Sequence, residues 1–104
     1  MPTKAQFYAA LAERHAQQIT ENRENWTNFL KTAGRLYKYP FEEQLMIHAQ
    51  RPTAQAVAPI HVWNHPMNRY VQRGSKGIDL LDMTDSKPRL KYVFDYADTG
   101  GNVS

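Results

Sequence analysis

Three cations, an aromatic ring and two glycines fall within one nine-residue run, Arg69-Tyr70-Val71-Gln72-Arg73-Gly74-Ser75-Lys76-Gly77, and no acid interrupts them. Such a mixture suits a phosphate backbone. Arg69, Arg73 and Lys76 supply charge, and Tyr70 offers a flat face to a base. Glycine at 74 and 77, either side of Ser75 and Lys76, lets backbone N–H groups come close to a ligand. The same segment also fits a hairpin turn whose charges are merely solvated. It lacks the earlier glycine and the Gly-Lys-Ser/Thr order of a nucleotide phosphate loop, so an ATPase reading is rejected.

Other chemistry-bearing residues are weaker candidates. His61 and His65 stand four apart, as in a helical zinc motif, but Val62 occupies the position of the required glutamate and Pro66 follows at once. No third ligand is evident, and no metal or cofactor is expected. His48 lies on an apolar helix and reads as a core or boundary histidine, His15 as a surface one. Glu42 and Glu43 begin a helix, where acids are favoured by the dipole alone. Asp79, Asp82 and Asp85 read as strand-face and turn residues. Nothing supports a paired acid and base, so no catalytic residue is assigned. Trp63 has two readings, a stacking platform for a base or a core anchor beside Val62; Trp26 reads as core.

Composition narrows the class. The chain has 104 residues, 41% of them hydrophobic and 12 aromatic by count (six Tyr, four Phe, two Trp), enough for one core and too few for two domains. Net charge is +3 and pI about 9.3, a basic balance consistent with modest, salt-sensitive polyanion binding. The excess is concentrated: residues 1–50 hold six cations against five acids, whereas 69–76 holds three against none. Absence of cysteine excludes disulfides and thiol catalysis and fits the cytoplasm. No apolar run is long enough to span a bilayer, and the first residues lack a secretion signal's hydrophobic stretch. Residues 98–104, Asp-Thr-Gly-Gly-Asn-Val-Ser, read as a flexible tail or linker after a domain of residues 1–97.

The elements that must position these groups follow from periodicity. Thr3 and Gln6 form a capping box that opens a helix over 4–20 with a thin, alanine-rich stripe. Trp26, Phe29, Leu30, Ala33, Leu36 and Tyr37 recur at spacings of three and four, marking a second helix that Pro40 stops. Pro40 also suits the start of a third helix, ending near Gln50 before Arg51-Pro52, with Phe41, Leu45 and Ala49 on one side and Met46 and Ile47 on another. After Pro52 the period changes. Leu90, Tyr92, Phe94 and Tyr96 alternate with Lys91, Val93 and Asp95, as in a half-buried strand, and Ile78 to Met83 is its hairpin partner across residues 84–88. Tyr70 to Arg73 is a third strand joined through the glycine turn, Thr53 to Ala58 a weaker fourth, and Pro59 to His65 one helical turn. Alternation puts Arg69, Val71 and Arg73 on one side and Tyr70 inward. Helices followed by antiparallel strands predict a two-layer α+β domain, N-terminal helices packed on a small, mainly antiparallel sheet.

The ordered blocks Trp26-x-x-Phe29-Leu30, Leu36-Tyr37-x-Tyr39-Pro40-Phe41, Gln44-Leu45-Met46-Ile47-x-Ala49-Gln50-Arg51-Pro52, Trp63, and Arg69-Tyr70-Val71-x-Arg73-Gly74-Ser75-Lys76-Gly77-Ile78 resemble the N-terminal domain of ArdC-type antirestriction proteins. They resemble still more the opening domain of large helicase and DNA-methylase proteins carried on conjugative elements of Gram-positive bacteria. The resemblance covers about residues 24–95. It implies an α+β domain that binds single-stranded DNA and is noncatalytic, with catalysis in other domains of a larger protein. On this reading the isolated domain is a monomer whose partners are single-stranded DNA and other domains of the parent. Arg69, Arg73 and Lys76 meet phosphates, Tyr70 or Trp63 stacks, and Arg51 and Lys38 extend the track. Two positions depart from the pattern: Glu43 stands where asparagine is frequent, and Asn68 where glycine is, a place asparagine also fills because it tolerates the left-handed conformation. The alternative reading is a protein-interaction module that docks neighbouring domains.

Overall fold

Thr3 starts the first helix as predicted: its hydroxyl accepts from the Gln6 N–H at 3.1 Å, and the Gln6 side chain accepts from the Thr3 N–H at 2.9 Å. Two orphan donors are thereby satisfied. In the computed structural model, which describes residues 3–82 and 89–101, this helix is α1, Lys4–Ile19, and α2 Arg23–Arg35, α3 Phe41–Gln50 and α4 Ile60–Asn64 follow. Asn22 caps α2 by accepting from the Asn25 N–H at 2.8 Å. Pro40 and Pro59 each precede a helix with φ near the ring-fixed value, −60° and −63°.

The strands are β1 Val57–Ala58, β2 Arg69–Val71, β3 Ile78–Asp82, β4 Arg89–Asp95 and β5 Thr99–Gly101. β3 and β4 pair antiparallel with Ile78 opposite Val93, and β1 takes the other edge of β4, giving the order β1-β4-β3. Helices on this antiparallel sheet make the α+β fold that the pattern predicts. The expected turn at 84–88, with Met83, lies outside the described residues. The expected fourth strand over 53–58 contracts to Val57–Ala58.

β2 departs from expectation. It is not joined in the sheet to β3 through the glycine turn but forms a separate ribbon with β5, Tyr70 opposite Gly100 and Arg69 opposite Gly101. The glycines make this possible. A Cβ at Gly100 would stand 2.7 Å from the Tyr70 hydroxyl, and Gly101 has φ 132°, open to glycine and strained for other residues. The boundary at 97 is therefore corrected, since ordered structure runs through Gly101. The small residues that suggested a linker are what lets the ribbon close.

One core cluster joins Leu36, Met46, Ile47, Ala54, Val57, Ile78, Leu80 and Val93; a second joins Ile19, Phe29 and Leu45 between the helices. Four consecutive residues of α3, Leu45 to His48, are buried, because α1, α2 and β3 surround that helix. α1 also docks by a hydrogen bond from the Tyr8 hydroxyl to the Asp79 carboxylate, which, with burial, pushes the tyrosine up to about 12. Gln50 binds the edge of β3 as a strand would, accepting from the Asp79 N–H at 2.9 Å and donating to its carbonyl at 2.8 Å. In β4 it is Val93 and Asp95 that are buried, while Tyr92 and the adjoining Tyr96 are exposed. Trp26, read as core, is 40% exposed at the outer edge of Phe29.

Candidate nucleic-acid interface

The residues after β2 form a turn tied down by one aspartate. The Gln72 N–H donates to the Asp98 carbonyl at 2.9 Å, the Ser75 N–H to the Gln72 carbonyl at 3.1 Å, and the Ser75 hydroxyl to the Asp98 carbonyl at 3.4 Å. Gly74 at its apex has φ 86° and open space where a Cβ would be. Arg73 and Lys76 flank this apex, both exposed, and neither has a hydrogen-bond or ion-pair partner among the described residues. Their charge is presented to solvent uncompensated.

Asp98 also brings Arg51 to the turn, through an ion pair of 2.8 Å. Arg51 and Lys76 line one shallow cavity of about 220 Å³, floored by Phe7, Tyr8, Leu11 and Ile78. Arg51 is thus beside the predicted track, with its charge largely met by the aspartate. Sequence did not reveal this pair, because its members are 47 residues apart.

Four other predicted site residues sit differently. Arg69 is held within the fold: Nε donates to the Thr99 hydroxyl at 2.8 Å, Nη2 to the Thr99 carbonyl at 3.2 Å, and the guanidinium lies 4.2 Å from the centre of the Tyr96 ring. Trp63 is 2% exposed and donates its indole N–H to the Phe94 carbonyl at 2.8 Å. It is a core anchor and has no face free for a base. Lys38 lies beyond α2, its ammonium 5.9 Å from the Tyr37 ring. Gly77 is needed for packing rather than ligand approach, since a Cβ there would stand 3.3 Å from the Phe94 ring.

Tyr70, expected inward, points outward instead: it is 59% exposed and lies across Gly100. Alternation holds over Arg69, Tyr70 and Val71 with the sides exchanged, but β2 ends at Val71, and Arg73 lies exposed in the turn, off the face expected for it. Arg69 and Val71 face the protein because Thr99 and Tyr96 receive the guanidinium. Asn68 takes the left-handed conformation, φ 58°, as expected for an asparagine in a glycine's place. Glu43 is engaged by Lys91 at 2.8 Å, and Gln44 donates to the Leu36 and Tyr39 carbonyls at 3.0 Å each, so both serve the fold. His61 and His65 are exposed, and among the described residues no group of three or more His, Cys, Asp or Glu is placed to hold a metal.

A second cluster went unseen in the sequence. His15 of α1 and His48 of α3, 33 residues apart, meet ring nitrogen to ring nitrogen, Nε2 to Nδ1 at 2.6 Å. Burial holds both imidazoles below the usual histidine range, and for His48 the neighbouring His15 and Arg35 add to it. The unfolded chain therefore takes up protons on acidification before the folded chain does. Stability contributed by the neutral pair is complete above about pH 6.5 and is lost as pH falls below it. Thermal denaturation from about pH 7.5 down to about pH 5.5 should show the midpoint falling by several degrees, and replacing both histidines with glutamine should flatten that fall.

No helix among the described residues is long and apolar enough to cross a membrane. No family model matches the chain, and no curated protein or solved structure is significantly similar to it.

Proposed function

We propose that this chain is a noncatalytic accessory domain that binds DNA, single strands in preference, within a larger antirestriction or mobile-element helicase and methylase protein of the bacterial cytoplasm. One observation carries the reading: Arg73 and Lys76 stand exposed and unpaired on an anchored glycine turn that leads directly from the strand bearing exposed Tyr70. Cations of this kind exchange condensed counterions for phosphates, and a tyrosine face accepts any base. Single strands are favoured because only unpaired bases offer a π-face to Tyr70. With Arg73 and Lys76 engaging two phosphates, these contacts make log affinity fall with log salt at a slope of about 1.4 in magnitude.

Fluorescence anisotropy with labelled single- and double-stranded oligonucleotides tests the proposal. Tyr70→Ala should weaken single-strand binding by about 1–3 kcal/mol and leave duplex binding nearly unchanged. Equal binding of both forms by the parent, or an unaffected Tyr70→Ala, counts against strand preference.

A second reading, docking of neighbouring protein domains, is favoured by a row of exposed apolar side chains: Trp26 and Leu30 on α2, with Tyr37 and Phe41 beyond it, between 40% and 73% exposed. Failure of every oligonucleotide to bind at low salt would transfer support to that reading.

A further inference from the structure

A cleft of about 560 Å³ lies away from the glycine turn, between α1, α2 and α3. Cavities of roughly 300–1,000 Å³ are the size that small ligands occupy. Its two walls differ in chemistry. On α2, Asn28, Lys31 and Arg35 follow one another at spacings of three and four, so they share a helix face and form a row of donors. Opposite them stand the His15 and His48 rings.

The donor row is only partly used by the fold. Arg35 spends Nε on the Ala54 carbonyl at 2.9 Å and Nη2 on Pro52 and Thr32, which fixes the guanidinium plane and leaves Nη1 uncommitted among the described residues. Lys31 has no ion pair or hydrogen bond among them, and Glu21 is the one acid lining the cleft. The imidazole wall is rigid as well: the Phe29 ring packs edge-on to His48 at 5.5 Å, and the two histidines fix one another. A hydrogen-bonded histidine pair is a costly way to join two helices that apolar side chains would join more cheaply. Lys31 and the free Nη1 edge of Arg35 suit an anion, and the half-buried His15 ring with exposed Pro52 suits a planar group.

We infer that this cleft binds a phosphate monoester bearing a heterocycle, a nucleoside 5′-monophosphate or the 5′-terminal nucleotide of a strand, with Lys31 and Arg35 on the phosphate and His15, held by the buried His48 behind it, against the ring. The site is independent of the turn at Arg73 and Lys76 and does not require the strand-binding proposal.

Nuclear magnetic resonance titration of the isotope-labelled chain decides it. The probes are a nucleoside 5′-monophosphate, the corresponding nucleoside, inorganic phosphate, and an oligonucleotide with and without a 5′-phosphate. The monophosphate should shift the His15, His48 and Lys31 resonances and saturate, the nucleoside and inorganic phosphate each binding at least about tenfold more weakly. Lys31→Ala, at an exposed position that does not threaten folding, should weaken the monophosphate about tenfold, whereas Arg73→Ala with Lys76→Ala should leave it unchanged. Competition by the 5′-phosphorylated oligonucleotide alone assigns the strand end, and competition by neither oligonucleotide assigns the free nucleotide. Absence of saturable shifts in the cleft overturns the inference. So does inorganic phosphate binding as tightly as the monophosphate, or loss of binding in the Arg73/Lys76 variant with Lys31→Ala unaffected.

Discussion

Trp63→Ala should destabilise the protein by about 3–5 kcal/mol and leave the DNA affinity of the folded fraction unchanged. The indole is buried, donates to the Phe94 carbonyl at 2.8 Å, and lies 6.2 Å from the Tyr96 ring. Tyr96 in turn carries the Arg69 guanidinium. Trp63 therefore pins α4 to β4 and, through Tyr96, supports the β2–β5 ribbon that presents Tyr70. Alanine would leave a cavity and remove the indole's hydrogen bond to a carbonyl that β1 also pairs, two costs that add. Urea unfolding at constant slope measures the loss, and Trp63→Phe should fall between parent and alanine because it restores packing without the donor. Full stability with lost DNA binding would instead return Trp63 to a stacking role.

Phe29→Ala should cost a similar amount, about 3–5 kcal/mol, for a different reason. Its ring is 1% exposed and meets three others: Phe41 edge-on at 5.7 Å, His48 edge-on at 5.5 Å and Trp26 tilted at 6.0 Å. With Ile19 and Leu45 it forms the joint of the three helices. Removing it opens space directly beside the histidine pair. Water entering there relieves the burial that keeps His48 neutral, so its titration midpoint should move back toward the ordinary histidine value. Histidine resonances followed across pH in parent and variant check both consequences; an unmoved His48 would mean that the cavity collapses without admitting water.

What could be read from the chain was what neighbours in sequence decide. Thr3 and Gln6 announce α1, Pro40 separates α2 from α3, and Asn68 takes the positive φ that its type allows. Pairings between distant residues left no such mark. The ribbon depends on Gly100 making room for a tyrosine 30 residues earlier, and a glycine-rich end reads equally well as a linker. The Arg51–Asp98 pair and the His15–His48 contact likewise join residues whose local context is unremarkable for their type. The cationic run was legible as a composition, but not which members are spent: Arg69 is consumed by Thr99 and Tyr96, while Arg73 and Lys76 remain. Alternation fixed the two sides of β2 without saying which is inner, because both carry one large side chain that can pack.

The salt dependence of single-strand binding, compared between the parent and Arg73→Ala with Lys76→Ala, bears most directly on whether the turn holds phosphates. Each phosphate contact on a single strand contributes about 0.7 to the slope of log affinity against log salt, so removing two should shrink its magnitude by about 1.4. The same variant should unfold like the parent, since neither side chain has a partner in the described structure. An unchanged slope in a fully folded variant would place the phosphates elsewhere and contradict the assignment of this turn.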